Sequence, residues 1–194
     1  MVLILVVGES HVPMRSAAIP EAFKSMLTPG RIQKTFVTGN IACRELHDYF
    51  RTVSNQLHCT YGEFDSEWST SLPQYVCVEV EGLKIGMIHG HQVVPEGDKE
   101  SLAAVQRKLD VDVLIYGTPA VAKFHEFDGR AFVNPGSITG AFSPTEGNIL
   151  PSFVLLDIKD KHITSFTYQY NPLEAVDSPE SGLKIKKKEW TKEY

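Results

Sequence analysis

Five apolar runs in this chain stop at a glycine with a polar residue beside it: Gly8-Glu9-Ser10-His11, Gly39-Asn40, Gly62-Glu63-Phe64-Asp65, His89-Gly90-His91 and Gly117-Thr118. Carboxylates, amides and imidazoles delivered from separate segments are the groups that surround hard or borderline metal ions. Glycine at such a point lets the backbone turn sharply after a strand. In open α/β sheets ligands bind beyond the carboxyl ends of the strands, so residues at successive strand ends converge on one crevice. Taken singly, each is a turn residue or, for His89, a core histidine bonded to a carbonyl. Their repetition is what points to a site.

The elements that must position these residues are readable from periodicity. Val2–Val7 is a continuous β-type run, as in a strand buried on both faces. A helix is expected from about Ala18 to Leu27, stopped by Pro29-Gly30. Lys34–Thr38 and Leu57–Tyr61 read as further strands. Between them Leu46, Tyr49, Phe50 and Val53 make an i, i+3, i+4, i+7 helical stripe. Tyr75–Val80 and Leu83–Ile88 flank Glu81-Gly82, a hairpin signal. A helix bearing Leu102, Val105 and Leu109 leads into the strand Val111–Tyr116. Further hairpins turn at Asp128-Gly129 and near Asp160, the second joining Phe153–Ile158 to Ile163–Tyr170. Pro172–Gly182 reads as a loop, and the lysine-rich end (Lys184, Lys186, Lys187, Lys188) as an edge strand and tail. Parallel strands followed by antiparallel ones, with helices between, predict an α/β protein of two stacked sheets flanked by helices. One domain is expected, over 1–182, with 183–194 as its C-terminal strand and tail.

Composition narrows the function classes. The 194 residues suit one compact core. A net charge of -5 supplies no global basic field for nucleic acid or an anionic membrane surface. Three cysteines, Cys43, Cys59 and Cys77, without C-x-x-C spacing, argue against a disulfide framework or a cysteine zinc site and for a reducing compartment. The apolar start is too short for a signal peptide, and no run is long enough to span a bilayer. A cytoplasmic protein is the expectation, with membrane reached only through partners.

The order and spacing of the strand-end motifs resemble the calcineurin-like metallophosphoesterase family, whose motifs run D-x-H, G-D-x-x-D, G-N-H-D/E, a strand-end His and G-H-x-H. More closely, the chain resembles the phosphoesterase-fold subunits of retromer, a protein-sorting coat. That likeness rests on Val37-Thr38-Gly39-Asn40, Gly62-Glu63-Phe64-Asp65, the run Lys84 to Val93 with its His89-Gly90-His91-Gln92, Asn134-Pro135-Gly136-Ser137-Ile138-Thr139-Gly140-Ala141 and Pro151-Ser152-Phe153-Val154-Leu155. It covers nearly everything up to Tyr170. It implies a four-layer α/β/β/α sandwich of two mixed β-sheets flanked by helices.

The ligand positions are where the chain departs from the enzymes. Glu9 stands at the first Asp and His11 matches. Asn40 replaces the Asp that bridges two metals, and a neutral amide bridges two dications poorly. Glu63 stands at the family Asn, and His89 matches. Thr118 and Ala120 replace both histidines of G-H-x-H, with Pro119 between them. Phe64 stands at the histidine that protonates the leaving group, and a phenyl ring transfers no proton. The resemblance thus implies a catalytically dead homologue without a cofactor, in which Glu9, His11, Asn40, Glu63 and His89 form at most a vestigial metal site for one weakly held divalent ion. The alternative is a metal-dependent phosphodiesterase with a reduced site.

By the same resemblance, the former metal-site face binds the C-terminal α-solenoid of the large retromer subunit through Val12, Pro13, Ile41, His91, Val93, Phe142 and Ile149. A second apolar patch, Leu3, Met26, Val94, Leu155 and Tyr168, is implied for regulators of Rab GTPases. Location on endosomal membranes through the complex, in endosome-to-Golgi retrograde transport, follows from the likeness alone.

Overall fold

A computed structural model describes residues 1–65, 71–175, 178 and 181–192. The expected loop 172–182 and the C-terminal tail therefore lie partly outside the described residues, at 176–177, 179–180 and 193–194.

Among the described residues the first sheet has six strands in the order β11-β10-β9-β1-β2-β3, and the second five in the order β4-β5-β6-β8-β7. The first contains β1 (Val2–Val7), β2 (Lys34–Val37), β3 (Gln56–Cys59), β9 (Ser152–Lys159), β10 (His162–Tyr170) and β11 (Leu183–Thr191). The second contains β4 (Tyr75–Val80), β5 (Leu83–Ile88), β6 (Val113–Ile115), β7 (Lys123–Phe127) and β8 (Arg130–Asn134). Both are mixed. β1, β2 and β3 run parallel, as do β5, β6 and β8, while the flanking pairs are antiparallel.

Strand alternation explains the layering. Ile4 and Val6 point into a core between the sheets, with Leu156 and Ile158 from β9 and Ile85, Met87, Val113 and Val133 from the second sheet. Leu5 and Val7, one residue out of phase, point the other way. They pack with Phe23 of α1 (Glu21–Lys24) and Phe50 and Val53 of α2 (Arg44–Val53). On the outer face of the second sheet, Leu114 and Phe132 meet Leu102 and Ala103 of α3 (Lys99–Leu109). β1 reads as unbroken apolar sequence because both of its faces are covered. The arrangement is the expected four-layer α/β/β/α sandwich.

The expected turns are present. Glu81-Gly82 (φ 50° and 76°) and Asp128-Gly129 (φ 51° and 67°) both take the left-handed pair of angles that a tight antiparallel hairpin needs. The helix expected over 18–27 is shorter, only Glu21–Lys24. Pro20 is its N-cap, with extended ψ of 136°, and a proline disfavours helical geometry in the residue before it. α3 carries the expected Leu102, Val105 and Leu109, and its N-cap Asp98 accepts a hydrogen bond from the Ser101 N–H at 2.8 Å. That cap ends the loop that follows β5.

Candidate functional site

Loops leaving β1, β2 and β3 of one sheet meet loops leaving β5, β6 and β8 of the other along a single seam. The N–H groups of Ser10 and His11 both donate to the Asn40 carbonyl, at 3.1 and 3.0 Å. Gly117 N–H donates to the His89 carbonyl at 2.7 Å, and Ile138 N–H to the Glu9 carbonyl at 3.1 Å. Glycines permit the close approaches: a Cβ at Gly8 would lie 1.6 Å from the Gly136 carbonyl oxygen. A Cβ at Gly62 would lie 2.2 Å from Asn40 Oδ1, and one at Gly117 would lie 2.3 Å from Thr38 Oγ1.

Inside the seam the polar residues bond to one another. Glu9 Oε2 lies 2.8 Å from His11 Nε2 and accepts from Asn40 Nδ2 at 3.0 Å. Asn40 Oδ1 in turn accepts from the Phe64 N–H at 2.9 Å. The loops after β1, β2 and β3 are thereby linked in series. Burial alone would raise the Glu9 pKa, but the bonds from His11 and Asn40 and the nearby imidazoles outweigh it and leave the carboxyl below its ordinary value.

His89, buried to 1% exposure, is held neutral: burial pushes its pKa down to about 4, against the pull of Glu9. Its Nδ1 lies 3.0 Å from His91 Nδ1 and 3.5 Å from Thr118 Oγ1, while its Nε2 has no partner among the described residues. Glu63 is exposed and lines a cleft of about 150 Å³ with Glu9, Arg15, Phe64, Glu96 and Thr118. The Arg15 guanidinium lies 4.6 Å from the Phe64 ring centroid, and the His11 ring meets the same phenyl edge-on at 5.4 Å.

Asp65 has a larger role than its place in the Gly62-Glu63-Phe64-Asp65 motif conveys. Its carboxylate accepts from three backbone N–H groups, Gly62 at 2.8 Å, Asn40 at 2.9 Å and Ala42 at 3.1 Å. The signal available in the sequence was a short carboxylate three residues after a strand-end glycine, a pattern that commonly caps turns. Ser137 and Thr139 act likewise, donating to the carbonyls of Glu9 and Ser10 at 3.0 and 2.7 Å.

These residues do not fit a two-ion phosphoesterase centre. The oxygen of Glu9 that faces the seam carries two hydrogen bonds, and the Asn40 oxygen faces a backbone N–H rather than the cleft. Ala120 has no donor atom, and Thr118 offers only a neutral hydroxyl. Among the described residues no three His, Cys, Asp or Glu side chains are arranged to hold an ion.

The residues expected on a partner face divide by burial. Pro13 and Phe142 are exposed, and Val12, His91 and Ile149 are half-buried. Ile41 and Val93, expected on that face, are instead 1% and 3% exposed. Ile41 packs in the core beneath α2, and Val93 in the core beneath α3. Loop position alone did not reveal that these two side chains fold back under their own loops. Other apolar side chains take their place at the surface: Met14, Phe64, Val94 and Val121, at 83%, 51%, 81% and 42% exposure.

Of the second patch, Leu3, Met26, Leu155 and Tyr168 line one groove of about 420 Å³ on the outer face of the first sheet. Val94 does not line it. It sits on the loop after β5, between His91 and the start of α3, and so belongs with the strand-end loops.

A family model described as a calcineurin-like phosphoesterase superfamily domain matches residues 2–161, which fixes the class of this fold. Vacuolar protein sorting-associated protein 29 of Schizosaccharomyces pombe is 35% identical over 171 residues, 86% of this chain and 90% of that protein. The crystal structure of Chaetomium thermophilum Vps29 covers 100% of both chains at 36% identity, with a TM-score of 0.91. Wild-type Vps29 of Entamoeba histolytica, crystallised in complex with Zn²⁺, is 42% identical, covering 96% of this chain and 98% of that one, with a TM-score of 0.85. The chain belongs to the vacuolar protein sorting-associated protein 29 family of the calcineurin-like phosphoesterase superfamily.

Proposed function

We propose that the chain is a non-catalytic scaffold subunit of retromer in endosome-to-Golgi transport. Its strand-end loops bind the C-terminal α-solenoid of the large subunit, vacuolar protein sorting-associated protein 35. The groove lined by Leu3, Met26, Leu155 and Tyr168 receives regulators of Rab GTPases, and the protein reaches endosomal membranes through the complex. One observation carries the reading of the strand-end face. Five large apolar side chains, Met14, Phe64, Val94, Val121 and Phe142, stand exposed on the loops after β1, β3, β5, β6 and β8. Water-exposed apolar groups gathered on one face are the mark of a surface that another chain covers. The polar residues beneath them, Glu9, His11, Asn40 and Asp65, tie the loops into a fixed platform.

The test is isothermal titration of the full chain against the C-terminal half of the solenoid subunit. Val94→Asp and Phe142→Asp are both exposed, so each keeps the fold and lowers affinity by at least tenfold. Wild-type affinity in both variants refutes the assignment of this face. Ile41→Asp is unsuited to the purpose, because Ile41 is part of the core.

A second reading, a reduced metal-dependent phosphodiesterase, is favoured by the unpartnered Nε2 of His89 and by the Zn²⁺ complex of the Entamoeba histolytica relative. In our reading Glu9, His11, Glu63 and His89 hold at most one weakly bound divalent ion, and Phe64 leaves the leaving group without a proton. Incubation with Mn²⁺ and bis-p-nitrophenyl phosphate is expected to release no product above the buffer rate. Turnover abolished by His89→Ala overturns that.

A further inference from the structure

The longest free sheet edge lies far along the first sheet from the strand-end loops. β11 spans nine residues, against four, six and five for the other edge strands β3, β4 and β7. No described strand pairs with its outer side, so its outward N–H and C=O groups form an open template.

The side chains on this edge are ordered by face. In register with β10, Lys184, Lys186 and Lys188 lie opposite Gln169, Thr167 and Ser165, on the face that carries Trp190 and Ile163 into the intersheet core. Beyond Trp190 this face of β11 is open, and the three lysines stand exposed in one row. Lys184 is paired with Glu174 at 2.7 Å, and Lys187, on the opposite face, with Glu189. Among the described residues Lys186 and Lys188 have no carboxylate partner. This row is basic on a chain whose net charge is -5.

We propose that β11 is a docking edge for an extended acidic segment of a partner protein, which adds to the first sheet as a further strand. Alternate residues of a strand are about 6.6–6.8 Å apart on one face, so carboxylates at every second position of an added strand fall opposite the lysine row. Main-chain hydrogen bonds supply affinity in such strand addition, and the facing side chains supply selectivity. The same row disfavours a second copy of this chain, whose β11 would set lysine against lysine. Ile185, 55% exposed on the other face and opposite Tyr168, gives the added strand an apolar contact on its reverse side. This inference does not depend on what covers the strand-end loops.

The probe is a fluorescein-labelled nine-residue peptide of alternating glutamate and valine, titrated into the full chain by fluorescence anisotropy. The comparison peptide has the same composition with its glutamates contiguous, and phosphatidylserine vesicles serve as a second anionic surface. We expect the alternating peptide to bind at least tenfold more tightly than the contiguous one. It should also slow hydrogen exchange of backbone amides within 183–191. The double change Lys186→Glu and Lys188→Glu should weaken binding at least tenfold, whereas Lys187→Glu, on the opposite face, should leave it within twofold. Circular dichroism checks that these exposed substitutions keep the fold. Equal affinity for the two peptides, equal loss in Lys187→Glu, no binding, or binding of vesicles but not peptide each overturns the proposal.

Discussion

Asn40 is a structural joint between the strand-end loops. In the enzymes that this chain resembles, its position holds a bridging carboxylate. Here its amide nitrogen donates to Glu9 and its oxygen accepts from the Phe64 N–H, so one side chain joins three loops. Removing it in Asn40→Ala leaves the part-buried Glu9 carboxylate with one fewer donor and a backbone N–H without its acceptor. The expected cost is about 1–3 kcal/mol, read as a lower urea midpoint with an unchanged slope. A midpoint equal to wild type contradicts the role of Asn40 as a joint. At this scale the sequence was informative about residue chemistry, since Phe64, Thr118 and Ala120 differ by type from the histidines that the resemblance expects at their positions. It was uninformative about Ile41 and Val93, because an apolar residue on a loop looks the same whether it turns inward or outward. Asp65 went unassigned for a related reason: a carboxylate that binds three backbone N–H groups reads, in sequence, as an ordinary turn residue.

Among the elements, the strands were legible and the helix ends were not. β1 follows from its unbroken apolar run, and the hairpins from Glu81-Gly82 and Asp128-Gly129. α1 is cut short by Pro20, whose effect on the preceding residue outweighs the helical pattern around it. β7 carries a feature that periodicity hides. His125 stacks on Phe132 at 5.1 Å, and neither ring nitrogen has a partner among the described residues. Burial, with Lys123 and Lys99 nearby, pushes its pKa down to about 4. The unfolded chain takes up that proton near the ordinary histidine value of about 6.5, so between there and 4 the unfolded state binds more protons. Stability is therefore lost as pH falls through that window. His125→Phe removes both the unpartnered nitrogens and the proton uptake, so its stability advantage over wild type is expected to widen from pH 7 to pH 5. Urea titrations at the two pH values decide this, and a pH-independent gap contradicts it.

At the scale of the whole molecule, two sheets packed face to face bring the carboxyl ends of six parallel strands to one end of the sandwich. The strand-end arrangement of the calcineurin-like phosphoesterase fold is kept here, with Glu9, His11 and Asn40 bonded to one another and an apolar rim around them. The strand ends were legible because their glycines repeat, but no local pattern could reveal that the rim side chains come together from both sheets. Val94, grouped by resemblance with a distant patch, belongs by position to this rim. In the proposed scaffold role, function lies on the surface around the crevice rather than in it.

The most direct measurement is hydrogen–deuterium exchange of the full chain with and without the C-terminal half of the solenoid subunit. Protection is expected in the segments 9–16, 61–65, 89–97, 117–122 and 140–147, which carry the strand-end loops. Unchanged exchange in those loops, with protection appearing on another face, would contradict the account.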